Sequence, residues 1–244
     1  MKTIPGKQQF VSFPIYKLDP AWRRLPEPER RKGKAEFCEV MESWQDRMIL
    51  LAYSLVGMRG DSDFFLWRVS YNLEDLEAMS AELMNTGLGK YLNVPYSYLS
   101  MTRRSIYVEE HQKVDPDGHG SRLEVVPGQS KYIFVYPFIK SRPWYALSDT
   151  ERGEAMKEHI AIGHKYQSVR INTTYSYGLD DQEFVLAFES DIPQDFLDLM
   201  LELRYSKASA YTIKDIPTFT GILHPVCDVL NLLDKQPVGL PQKV

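Results

Sequence analysis

Asp63-Phe64-Phe65-Leu66 and Glu183-Phe184-Val185-Leu186 decide the fold, because they read as one strand written twice, 120 positions apart (183 − 63). At that offset Ser70 meets Ser190, Asp75 meets Asp195, and Glu82-Leu83 meets Glu202-Leu203. Upstream of the first copy, 9–18 alternates like a strand with Val11, Phe13 and Ile15 on one face. Residues 25–47 have helix-forming composition, with Phe37, Val40, Met41 and Trp44 at helical spacing, and 48–57 reads as a strand. Gly60-Asp61-Ser62-Asp63 is a turn into the strand 64–70. A helix over 73–88 follows, and a closing strand over 96–104.

The second copy has the same surroundings: strand 131–140, helix 149–166, strand 168–177, the turn Gly178-Leu179-Asp180-Asp181, strand 183–190, helix 194–205 and a last strand within 211–223. Two successive β-α-β-β-α-β units predict an α+β chain of two ferredoxin-like repeats, forming a dimeric α+β barrel-like unit within one chain. The expected division is an N-terminal half over 1–108, a connector over 109–130, a C-terminal half over 131–225 and a tail over 226–244. Val226, Val229, Leu230, Leu232 and Leu233 suit a short amphipathic helix in that tail.

Composition narrows the class. With 43% hydrophobic and 25% charged residues in 244, the chain can bury a core and is not a disordered tail. Fourteen Gly, 15 Pro and 2 Cys exclude collagen-like and disulfide-stapled scaffolds. The 29 basic and 33 acidic residues give −4, so no global positive field favours nucleic acid. No secretory signal or membrane-length apolar run is seen, and a cytoplasmic protein is expected. Cys38 and Cys227 are far apart in sequence without a CxxC partner, so a disulfide is not expected.

His159 is the most informative of the five His. Its helix places Ala155, Met156, His159, Ile160 and Gly163 on one face. A histidine there is either a hydrogen-bonded core residue or a ligand. Ile162 and Gly163 offer no second donor for a zinc pair, whereas a lone imidazole suits haem, and Gly163 leaves room for a macrocycle. In Tyr136-Pro137-Phe138-Ile139-Lys140-Ser141-Arg142-Pro143-Trp144-Tyr145, oxidisable aromatics alternate with cations. That run reads as a proline-interrupted edge strand or as a redox-active aromatic beside carboxylate-binding groups. The connector is either a linker or a functional loop. No GxSxG, HExxH or dinucleotide fingerprint is present.

Together, Tyr136 to Ser141, Trp144-Tyr145, Glu158-His159 and Gly178-Leu179-Asp180-Asp181 with Glu183-Phe184 resemble the chlorite dismutase-like haem proteins. Within them the similarity is greatest to the branch that converts iron-coproporphyrin III (coproheme) to haem b with hydrogen peroxide. The resemblance implies that His159 is the iron ligand and that Tyr136 forms the radical that attacks a propionate. Lys140, Arg204, Ser209 and Arg122 match propionate-binding positions, Trp144 a pocket tryptophan, and His119 a distal histidine. The connector thereby becomes an active-site loop. Chlorite dismutases carry a distal Arg where this chain has Ile171, and Arg170, one step along a strand, points to the other face. Chlorite chemistry is thus disfavoured. The alternatives are a chlorite dismutase-like or peroxidase haem enzyme, or a non-enzymatic haem-binding protein. The resemblance also implies a homo-oligomer, usually a pentamer, with ferrochelatase as a candidate transient partner.

Overall fold

Both halves fold as the repeat predicts. The structure, a computed structural model, describes residues 4, 6–104 and 124–234. It divides into two compact units, one built mainly from Phe10–Tyr98 with the chain after Gly221, the other mainly from Leu99–Thr220. In the first unit the chain runs β1 (Phe10–Leu18), α1 (Glu27–Trp44), β2 (Ile49–Ser54), β3 (Phe64–Ser70), α2 (Leu73–Asn85) and β4 (Leu92–Met101). The sheet order β4-β1-β3-β2 is the ferredoxin-like one.

In the second unit the chain runs β5 (Tyr132–Lys140), α3 (Arg142–Ala146), α4 (Asp149–Gly163), β6 (Arg170–Tyr175), β7 (Phe184–Ser190), α5 (Pro193–Arg204) and β8 (Thr212–Lys214). Its strands pair antiparallel in the order β8-β5-β7-β6, the same permutation. The fold is therefore α+β, with two ferredoxin-like repeats. Two details differ from expectation. The run 136–145 leaves the sheet at Lys140, and Pro143 then sits in the first turn of α3, where a missing N–H costs nothing. The last strand is two strands: a cis Ile216–Pro217 bond follows β8, and β9 (Phe219–His224) pairs with β2 in the first unit.

The repeated residues do repeated jobs. Ser70 Oγ accepts from Asn72 N (3.2 Å), and Ser190 Oγ from Ile192 N (3.0 Å), shaping the entry to α2 and α5. Asp75 accepts from Arg47 (2.7 Å), and Asp195 from the Ser168 hydroxyl, each fixing the corner between a helix and the next strand. Glu82 accepts from Trp44 Nε1 (2.8 Å) and Glu202 from the Tyr166 hydroxyl (3.1 Å). What the duplication preserves is the clamp between the two helices of each half.

In the first unit the helix-facing layer is filled. Phe37 of α1 meets Tyr16 and Phe64 edge-on, at 6.3 Å in both cases. The β2 residues paired with this layer, Leu50, Ala52 and Ser54, are all buried. Arg68 completes it, buried and bonded to Leu76 O (3.2 Å), Ser80 Oγ (2.8 Å) and Ser12 Oγ (3.0 Å). Cys38 and Cys227 form a disulfide, contrary to the expectation of two free thiols. Sequence distance did not foretell that the tail returns to α1, where Val229, Leu230 and Leu233 are buried in a 3-10 turn. Among the described residues no helix is long and apolar enough to cross a membrane.

Candidate functional site

Strand register decides which side chains share a face in the second unit. Tyr136 pairs with Leu186 and Phe134 with Phe188; across β6, Ile171 pairs with Phe188 and Thr173 with Leu186. Directly opposed residues point the same way. This face meets the helices through one cluster: Phe134, Tyr136, Ile162, Phe188, Phe196 and Leu199. At β6 the cover stops. Ile171 is 45% exposed and Thr173 is exposed beside it. Arg170 lies on the opposite face, where its guanidinium donates to Gln129 Oε1 (3.2 Å).

A capping box starts α4: Ser148 Oγ accepts from Glu151 N (3.3 Å), and the Glu151 carboxylate accepts from Ser148 N (2.9 Å). His159 follows Ala155 by one turn and precedes Ile162 by three residues, and both neighbours are buried. The buried line of α4 thus runs through Ala155 and Ile162, while Ile160 and Gly163 of the expected stripe are half-buried. His159 is half-buried as well. Burial pushes its pKa down to about 4, the Lys140 ammonium adds to the shift, and Glu158 opposes it. The imidazole is therefore neutral at pH 7, and among the described residues it makes no hydrogen bond. A Cβ placed on Gly163, one turn later, would meet nothing within 4 Å. A neutral imidazole without a hydrogen-bond partner among the described residues, one turn from the open space at Gly163, fits the single protein ligand that a haem iron requires.

Lys140 ends β5 with 9% exposure. Its ammonium donates to Ala208 O (2.5 Å) and lies 4.7 Å from the Trp144 ring centre. Burial lowers its pKa to about 8, and Glu183 opposes the shift. Trp144 is buried with Ala155 and Ala208. Tyr136 is 3% exposed, with its hydroxyl 3.6 Å from Met200 Sδ, a weak acceptor. Burial holds its pKa well above the usual phenol range, Asp215 adds to the shift, and Arg204 opposes it. Tyr136 is thus a neutral phenol lacking a strong base. Arg204, half-exposed, is paired with Asp215 at 2.5 Å. Ser209 is half-buried in the 3-10 turn Lys207–Tyr211 that packs on α4. His119 and Arg122 lie outside the described residues.

Two features escaped sequence reasoning. Asp215, the partner of Arg204, is a single acid with no pattern around it. Glu183 accepts from Tyr145 Oη (2.6 Å) and from Lys140 N (2.8 Å), and Tyr145 Oη is 2.6 Å from Tyr177 Oη. Tyr145 and Glu183 lie within quoted motifs and Tyr177 precedes one, but no spacing rule joins positions 145, 177 and 183. The GLDD turn itself is structural: Gly178 has φ +74°, and Asp180 accepts from Leu99 N (2.7 Å) and Gln182 Nε2 (2.8 Å). A shallow groove of about 380 Å³ on the α4–α5 surface is lined by Glu158, Ile162 and Glu202 but not by His159 or Tyr136.

Comparison with known proteins bears on the family and the fold. Residues 30–224 match the chlorite dismutase family. The coproheme decarboxylase of Mycolicibacterium smegmatis is 34% identical over 94% of each chain. The chlorite dismutase of Ideonella dechloratans is 26% identical over 95% of this chain and 82% of its own. Among solved structures, a mutant chlorite dismutase from Candidatus Nitrospira defluvii superposes with a TM-score of 0.83 at 25% identity, covering 91% of this chain and 94% of that one. A haem-binding protein from Thermus thermophilus does so with a TM-score of 0.79 at 25% identity, over 93% and 95%. The match over most of its length, on a fold with the same two repeats, makes this chain a member of the chlorite dismutase family.

Proposed function

We propose that this protein is a peroxide-dependent coproheme decarboxylase that converts two propionates of iron-coproporphyrin III to vinyl groups, giving haem b. The observation that carries the reading is the position of Tyr136. It is a neutral phenol fixed on the sheet face that α4 covers, in a half whose helix also presents a neutral His159 that makes no hydrogen bond among the described residues. Ile171 supports decarboxylation over chlorite chemistry, because the exposed end of this face has an alkyl group and the nearby cation, Arg170, is turned away.

The substrate is anionic through its four propionates. Bound coproheme, with hydrogen peroxide, supplies the oxidising equivalents. His159 would hold the iron through a ring nitrogen that carries no proton at neutral pH. Lys140 and Arg204 receive propionate carboxylates, with Ser209 as a hydrogen-bond donor and Arg122 on the connector as a further cation. Tyr136 gives up its hydroxyl hydrogen and recovers one from the β-carbon of the propionate beside it. Each propionate loses CO2, a proton and two electrons. One hydrogen peroxide takes up two electrons and two protons to become two waters. His119 on the connector takes and returns the peroxide proton in this scheme. Trp144, packed on Lys140 and against Ala155 of α4, is a second oxidisable ring near these groups. We place the enzyme in the cytoplasm as a homopentamer with transient contact to ferrochelatase.

The test is anaerobic loading with iron-coproporphyrin III, titration with peroxide and mass spectrometry of the porphyrin. Stepwise loss of two CO2 is expected. Porphyrin of unchanged mass would support a haem-binding protein without this activity, and oxygen release from chlorite would support a dismutase.

A further inference from the structure

The two cysteines of the chain meet in the first unit. Cys38 and Glu42 are four residues apart on α1 and therefore share a helix face. Cys227 comes from the segment after β9. One ligand atom from each of Cys38, Glu42 and Cys227 lies within 4.8 Å of the others. Cys227 Sγ is 3.5 Å from Glu42 Oε1. Both cysteines are half-buried and Glu42 is exposed, so one side of the group opens to water.

The disulfide is not what holds this segment in place. Val229 is 0% exposed, and Leu230 and Leu233 are each 1% exposed. Asp234 accepts from Trp22 Nε1 (3.2 Å), Arg30 (3.3 Å) and Lys34 (2.9 Å). Opening the S–S bond therefore leaves two thiols side by side, next to the carboxylate. Glu39 and Asp228 follow the two cysteines in sequence, and the nearby cations Arg30 and Lys34 engage Asp234. An acidic setting disfavours bare thiolates and therefore nucleophilic attack on peroxide. A bound dication reverses that balance. Two thiolates and one carboxylate, with a water on the open side, form the tetrahedral donor set of zinc.

We propose that reduced Cys38 and Cys227, with Glu42, bind one thiophilic divalent cation of the Zn²⁺ type, and that disulfide and metal site are alternative states of the same three residues. A dithiol reductant supplies two electrons and two protons to the S–S bond and becomes a disulfide itself. The incoming Zn²⁺ then displaces the two thiol protons into solvent. This site stands independently of the decarboxylase reading.

The test uses the full-length chain, reduced with dithiothreitol, freed of it under nitrogen and titrated with zinc chloride or cobalt chloride. Zinc is expected to slow the reaction of both thiols with an aromatic disulfide reagent at least ~10-fold. Cobalt is expected to give a thiolate-to-cobalt charge-transfer band. Cys227→Ser should lose the two-thiolate band and the protection. Glu42→Gln, at an exposed position, should keep the band but bind cobalt about 10-fold more weakly. The disulfide-intact chain should show neither signal. Thiols that react equally fast with and without zinc, or a reduced wild-type cobalt spectrum without the band, would overturn the proposal.

Discussion

The two halves share a topology and differ in how their helix-facing layers are filled. In the first, β2 presents Leu50, Ala52 and Ser54 to that layer, all buried, and Phe37 packs against Tyr16 and Phe64. In the second, β6 presents Ile171 and Thr173, both exposed, and α4 offers His159 and Gly163 where α1 offers aromatic bulk. Even the tyrosines correspond: Tyr16 meets Tyr136 at the 120-residue offset (136 − 16), although their strand registers differ. Burial raises the pKa of both, with an arginine opposing the shift in each case. In the first half that arginine is Arg68, sealed in the core; in the second it is Arg204, half-exposed and paired with Asp215. A duplicated scaffold has thus closed one layer along its whole width and left the other exposed at β6.

The largest expected contrast is between the tyrosines. Tyr136→Phe should lower decarboxylation by at least ~1,000-fold while coproheme still binds, because a step made only in the transition state is lost. Tyr16→Phe should leave turnover within about 2-fold, since it touches no substrate in this account. Equal losses in both variants, measured as vinyl product per minute, would break the comparison.

His159 gives the next effect, in stability. Its folded pKa of about 4 lies below the ordinary 6.5. Between those values the unfolded chain takes a proton that the folded chain refuses. The stabilising contribution of the neutral ring is therefore complete above about pH 6.5 and declines as pH falls toward 4, by at most about 3 kcal/mol. Urea melts of the unliganded protein at pH 7 and pH 4.5 should show this drop, and His159→Gln should shrink it.

The helix glycines sharpen the same contrast. A Cβ on Gly33 of α1 would lie 2.8 Å from Leu88 N and 3.0 Å from Gly87 C, both backbone atoms. Gly33→Ala should cost about 1–3 kcal/mol. Gly163→Ala meets open space and should be neutral within ~0.5 kcal/mol. The measurement is a pair of thermal melts. The smallest effect concerns Lys140. With a pKa of about 8 it loses its proton above that pH, so coproheme affinity should fall several-fold between pH 8 and 10. Titrations of wild type and Lys140→Met should differ in slope over that interval.

The fold was legible because strand alternation, helical spacing and a turn recur at one offset. The last strand expected within 211–223 proves to be two, and the local signals of the break, Asp215 and Pro217 between β8 and β9, were passed over. The placement of the candidate residues was legible where they lie on a periodic element. His159 lies on the inner side of α4, although the buried line passes through Ile162, which the periodicity left aside. Asp215 and the Tyr145–Tyr177–Glu183 chain were not legible, because they are brought together by tertiary approach between segments that share no pattern. The disulfide was missed for the same reason: 189 residues separate its cysteines, and only the return of the tail to α1 joins them.

The central claim is that the open layer of the second half receives an iron porphyrin through His159. His159→Gly, loaded with iron-coproporphyrin III and followed by Soret absorbance with and without added imidazole, tests it most directly. The account predicts a shifted band in the variant that free imidazole restores to the wild-type position. A variant whose spectrum already matches wild type before imidazole is added would contradict it.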